Sequence, residues 1–144
     1  MTWKQAIRLL ALADALEQEV APAEKARGTQ KFNMQVWFLR PKGSRYKRPS
    51  LTVAGCTTQR CAIGWMATFF PSMKIRFGLF FDDILYGGET AIRRFNHLAP
   101  VIGVTDQEFA HLFQGLDAYE RTLDEEVKVL REFVASKWDA GEAL

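Results

Sequence analysis

The chain has 144 residues, of which 48% are hydrophobic and 25% charged, with a formal net charge of +2. That length and ordinary composition suit one domain with a real core, and no low-complexity tract or repeat interrupts it. Two cysteines cannot make a disulfide framework, and no apolar run reaches the ~20 residues a bilayer needs, so a cytoplasmic, non-membrane protein with free thiols is expected.

The charge is unevenly spread. Between Pro22 and Arg60 there are nine bases and one acid, whereas Cys61 to Leu144 holds eight bases and thirteen acids. Such an asymmetry points to a basic surface for phosphates or an acidic partner over a more acidic body; the plainer alternative is a solvated loop neutralised by acids of the same fold.

Thr2 to Val20 reads as an amphipathic helix. Thr2 and Gln5 fit a capping box, and Trp3, Ile7, Leu10, Ala13, Leu16 and Val20 recur at three- and four-residue spacing, with Leu9 and Leu12 widening the stripe. Its opening, with Lys4, Arg8, Asp14, Glu17 and Glu19, is neither a signal nor a transit peptide by composition. Pro22 is expected to end the helix, leaving Ala23 to Gln30 as a polar connector.

Phe32, Met34, Val36 and Phe38 alternate with polar residues and Trp37 at the period of a strand, and Leu51 to Ala54 offers a shorter partner. Between them Arg40 to Pro49 carries two prolines and a glycine, so a loop is expected. Arg40, Lys42, Arg45, Lys47 and Arg48 make it basic, and Tyr46 could stack on a nucleobase.

The stretch Gly55 to Pro71 reads as a core helix over about 58–70. Thr57 or Thr58 is placed to cap it, and Cys61, Ile63, Trp65, Met66 and Phe69 make it apolar on nearly every side. Gly64 costs about 1 kcal/mol relative to alanine, which suggests close packing against its backbone. Pro71 stops it.

Ile75, Phe77 and Leu79 alternate as a further short strand, and a hairpin across Asp82 and Asp83 is compatible with Ile84 to Tyr86 following. Glu89 to Leu98 reads as a helix interrupted by Pro100. Two more capping boxes, Thr105 with Glu108 and Thr122 with Glu125, open a short helix and the best-supported helix of the chain. The latter puts Leu123, Val127, Leu130, Val134 and Trp138 on one face, with Asp124 and Lys128 paired at i,i+4. The expected fold is one domain of class α+β, mainly helical, with about five helices around the buried central helix and a small antiparallel sheet.

Candidate chemistry is sparse. Cys56 and Cys61 lack the C-x-x-C spacing of redox sites; a helix start beside Arg60 can activate a thiol, but two buried, inert thiols are the better reading. His97 and His111 are too far from each other and from the cysteines to suggest zinc, and adjacent Asp82 and Asp83 do not converge unless a turn brings them together. No cofactor or metal site is expected, and no nucleotide-binding or protease motif is present.

The central stretch, Cys56-Thr57-Thr58-Gln59-Arg60-Cys61-Ala62-Ile63-Gly64-Trp65, resembles the Cys-Gly-Thr-x-x-Cys-x-x-Gly-Trp (or His) pattern of a group of small phage, prophage and bacterial proteins. Phe32-Asn33-Met34 with Trp37 upstream, and Gly103-Val104-Thr105 with Glu108, Leu112 and Phe113 downstream, continue the similarity over roughly residues 32–134. The resemblance carries no activity. Thr57 departs from it by replacing glycine, and the basic loop looks like an enlargement of a shorter connection.

The residues and the resemblance together lead to a small cytoplasmic, non-enzymatic interaction protein of phage type, with anti-defence inhibition as the role the resemblance implies. It would bind a host protein or nucleic acid through Arg40, Lys42, Arg45, Tyr46, Lys47, Arg48 and Arg60. A binder of phosphate-bearing small ligands such as nucleotides is the alternative, and an enzyme using Cys61 is a third reading.

Overall fold

A computed structural model of the chain describes residues 1–28, 30–34, 60–73, 75–77, 84–86, 93–94 and 98–140. Helix α1 spans Trp3–Ala15 and starts on the expected box: Thr2 accepts from the Gln5 N–H while the Gln5 side chain accepts from the Thr2 N–H. The chain does not stop at Pro22. It widens into a π-helical turn, Leu16–Val20, and continues as α2, Ala21–Arg27. Pro22 has no N–H to give and its ring presses on the turn before it; the wider turn relieves both problems, and the proline falls in the first turn of α2. Gly28, at φ 64°, ends α2 in the left-handed conformation that suits glycine.

The central helix, α3, spans Ala62–Phe69, shorter than the expected 58–70. It starts on Cys61 with no side-chain cap, while Thr57 and Thr58 lie outside the described residues. Ala62 to Thr68 are all buried, and Phe70 leaves helical angles before Pro71 opens a short 3₁₀ turn, Pro71–Met73. Helix α4, Leu98–Ile102, begins nine residues later than the expected Glu89 start, and Arg93–Arg94 within that span is extended. Pro100 sits inside α4's first turn, where no intrahelical N–H is needed. Helix α5, Asp106–Phe109, runs into a second π turn, Ala110–Gln114; α6 is Leu116–Tyr119; α7 is Leu123–Asp139. Both α5 and α7 start on their expected boxes, at Thr105 and Thr122.

One continuous core joins these helices. Leu9, Leu12 and Leu16 from the underside of α1 meet Ile63, Trp65 and Met66 of α3, with Leu112, Phe113 and Leu130 closing it from the C-terminal half. Helix α1 packs along α7, and Arg131 of α7 clasps Asp14 at 2.8 Å and Glu17 at 3.0 Å across the seam. Gln5 ties α1 to α4 by donating to the Pro100 and Val101 carbonyls.

The expected α+β class with a small antiparallel sheet is corrected: among the described residues this is a mainly helical fold. Apart from Phe32 and Met34, every residue of the described core comes from a helix or its flanking turns. Three short extended pieces, β1 Ile75–Phe77, β2 Ile84–Tyr86 and β3 Arg93–Arg94, run antiparallel in that order, and only their backbone course is described. The alternation at Phe32 to Phe38 does not make the expected strand where it can be followed. Phe32 forms one isolated parallel bridge with Arg60, and Met34 is already in a turn. The Phe32 N–H goes to the Glu24 carboxylate rather than to a ladder. Residues 35–38 and 51–54 lie outside the described residues.

Helix α7 departs from expectation at its ends. Leu123, Val127, Leu130 and Val134 are buried as the periodicity predicts, but Trp138 is 53% exposed. Its ring meets Trp3 edge-on at 4.9 Å, joining the outer ends of α1 and α7. Lys128 lies 3.8 Å from Glu132, not with Asp124.

Candidate functional site

Of the residues expected to bind, Arg40, Lys42, Arg45, Tyr46, Lys47 and Arg48 lie outside the described residues, as do Cys56, Asp82, Asp83 and His97. Arg60 is described, and it is inside the protein, 1% exposed. Its backbone bridges Lys31 and Asn33, with the Arg60 N–H 2.9 Å from the Lys31 carbonyl and the Asn33 N–H 3.0 Å from the Arg60 carbonyl. Its guanidinium donates to the Thr68 hydroxyl and lies 5.0 Å from the centre of the Trp65 ring. Thr68 in turn donates to the Gly64 carbonyl at 3.1 Å, and Trp65 Nε1 donates to the Lys31 carbonyl. Arg60 is thus a structural cation folded onto α3, and a solvent-facing partner does not reach it.

Cys61 is also buried, and burial pushes its thiol up to about 12. Burial and this upward shift both oppose formation of a Cys61 thiolate. His111 is exposed on the π turn after α5. Among the described residues no three His, Cys, Asp or Glu side chains gather closely enough to hold a metal ion.

A buried Arg–Glu pair at the start of α7 is not among the expected site residues. Glu126 is fully buried, with Oε1 3.1 Å from Arg121 Nη1 and no partner for Oε2 among the described residues. Arg121 also donates to the Leu112 carbonyl at 3.2 Å, so it staples the π turn to α7. Burial raises the Glu126 carboxyl to about 8 against the opposing pull of Arg121. The burial effect wins because desolvating a carboxylate costs more than one arginine returns when its second oxygen is left bare. The signal was in the pattern: Glu126 lies three residues after Leu123 and four before Leu130, inside the apolar stripe.

Beside this pair a cleft of about 460 Å³ opens between α2, the 30–34 segment and the α6–α7 corner. Ala21, Phe32, Met34 and Leu123 supply apolar lining, and Glu24, Glu120 and Asp124 supply carboxylates. Glu24 is fixed in place, since its Oε2 accepts from the Lys31 N–H at 2.7 Å and the Phe32 N–H at 3.1 Å. Tyr119 stands at the opposite side, 38% exposed. The sequence reading left these residues unmarked, because the cleft joins positions about a hundred residues apart that share no motif.

No protein-family model, no curated protein and no solved structure matches this chain.

Proposed function

We propose that the chain is a small non-enzymatic interaction protein of phage type, acting inside a bacterial host cell, whose basic segment Arg40 to Arg48 binds nucleic acid or an acidic protein surface. The observation that supports this reading is the local density of positive charge along the chain. In the helical body, Arg131 is paired with Asp14 and Glu17, Lys137 with Glu108 at 2.5 Å, and Arg121 is held by Glu126 and the Leu112 carbonyl. Arg60 and Lys31 are buried. By contrast Arg40, Lys42, Arg45, Lys47 and Arg48 fall within nine residues that contain no acid. Arg60 leaves the set of binding residues, because its guanidinium is folded onto α3. Inhibition of a host defence is the role suggested by the phage resemblance.

The test is salt-dependent binding to short single- and double-stranded DNA and RNA. Five phosphate contacts predict about a 500-fold loss of affinity between roughly 50 and 200 mM salt. The triple variant Arg45→Glu, Lys47→Glu, Arg48→Glu is expected to abolish binding while melting at the parent temperature. Binding that is equal at low and high salt, or unchanged in the triple variant, rejects the nucleic-acid reading. Capture of an acidic host protein that the triple variant no longer captures identifies the other partner class.

A further inference from the structure

The cleft at the α6–α7 corner has a chemistry of its own, opposite in sign to the basic segment. Glu24 stands on one wall, and Glu120 and Asp124 on the other. None of the three joins an ion pair among the described residues. Arg121 lines the cleft, and its Nη1 is directed to the Leu112 carbonyl and to Glu126. The three carboxylates are also too dispersed to hold a bare metal ion.

We propose that this cleft binds a cationic group carried on an apolar stem, an alkylammonium or a guanidinium. Each part of such a ligand meets its complement. The stem lies against Ala21, Phe32, Met34 and Leu123. The charged head is shared between the walls, where a concave low-dielectric site strengthens attraction to like-signed carboxylates. The Tyr119 ring at the rim adds a face for a cation. The walls are prepared before the ligand arrives. Glu24 is held by two backbone N–H groups, and the Thr122 capping box fixes the backbone that carries Asp124. Preformed walls spare the ligand the cost of ordering them. An anion is disfavoured by the same lining.

The shared chemistry has two sources, a free polyamine and a lysine or arginine side chain of a partner. Calorimetric titration of the full chain at low salt, with spermidine and separately with an acetylated Arg-Lys-Arg tripeptide amide, tests both. At least one probe is expected to bind, and Glu24→Gln and Asp124→Asn are each expected to weaken it tenfold or more. Glu132→Gln, an acid exposed elsewhere on α7, is expected to leave it unchanged. Binding of spermidine alone assigns the cleft to a free polyamine; binding of the tripeptide alone assigns it to a partner side chain. The proposal is overturned if neither probe binds. It is overturned equally if Glu24→Gln and Asp124→Asn bind as the parent does, or if Glu132→Gln weakens binding as much as they do, since attraction is then general to the acidic body. Asp124 is exposed, so its variant keeps the test open should Glu24→Gln fail to fold.

Discussion

Glu126 shows how one side chain can set the response of a whole domain to pH. Its carboxyl titrates near 8 in the folded protein and near the ordinary carboxylate value in the unfolded chain. Between those two values the native state holds a proton that the unfolded state has released, so stability falls as pH rises through the window. Glu126→Gln removes this penalty while keeping an oxygen for Arg121. The variant is expected to match the parent near pH 5 and to exceed it by at least about 1 kcal/mol at pH 9. Denaturant melts at both pH values check it, and a difference independent of pH would show that Glu126 does not titrate there. Arg60 carries the opposite lesson. Adjacent to a basic run, it reads as part of a charged surface; in the fold, Trp65 and Thr68 draw it into the core. Sequence neighbourhood says which charges are near one another along the chain, and packing decides which of them meet water.

At the scale of elements, the three capping boxes were legible because each is a local exchange of two hydrogen bonds over four residues. Gln5 does more than its box requires. Its amide also reaches α4, and Gly103, at φ 93°, ends α4 directly under it. A Cβ at position 103 would collide with the Gln5 amide, and its backbone angle is one that L residues rarely adopt. Gly103→Ala is therefore expected to destabilise by about 2 kcal/mol or more, whereas Gly28→Ala, with open space around it, pays only the conformational term of roughly 1 kcal/mol. Paired chemical denaturation curves check the ranking, and equal losses would remove the Gln5 contact from the account. What the elements did not reveal in advance depends in part on partners outside the local window: the course of the chain at Phe32 and the start of α3 are two such cases. Phe32 is diverted by Glu24, and the start of α3 is set where Arg60 bridges Lys31, and neither partner is visible within a window of local sequence.

On the scale of the molecule, the buried faces were mostly readable and their partners were not. The stripe of α7 follows from spacing over Leu123, Val127, Leu130 and Val134, whereas on α1 Trp3 and Ile7 of the expected stripe are exposed and Ala6, Leu9 and Leu12 are buried beside Ala13, Leu16 and Val20. Nothing in either stripe says that they pack on each other. That pairing rests on Arg131 with Asp14 and Glu17, on the edge-on tryptophans, and on the core beneath. It also fixes the least separable division of the fold, because α1 completes its surface only with residues more than a hundred positions later. A chain ending at Glu120 keeps α1, α3 and α5 yet leaves the α7 side of the core open. It is expected to lose cooperative melting and to be digested rapidly by low protease, whereas a cooperative transition in that fragment would show that α7 is an accessory.

The clasp between Glu17 and Arg131 spans 114 residues of chain. Ribosomes add roughly 5–20 residues each second, so α1 emerges on the order of ten seconds before the helix that covers it. Throughout that interval Leu9, Leu12 and Leu16 have no α7 to shelter them, and the nascent chain offers exposed apolar surface of the kind chaperones bind. The long-range seam that makes the finished domain a single unit makes its birth a post-translational event.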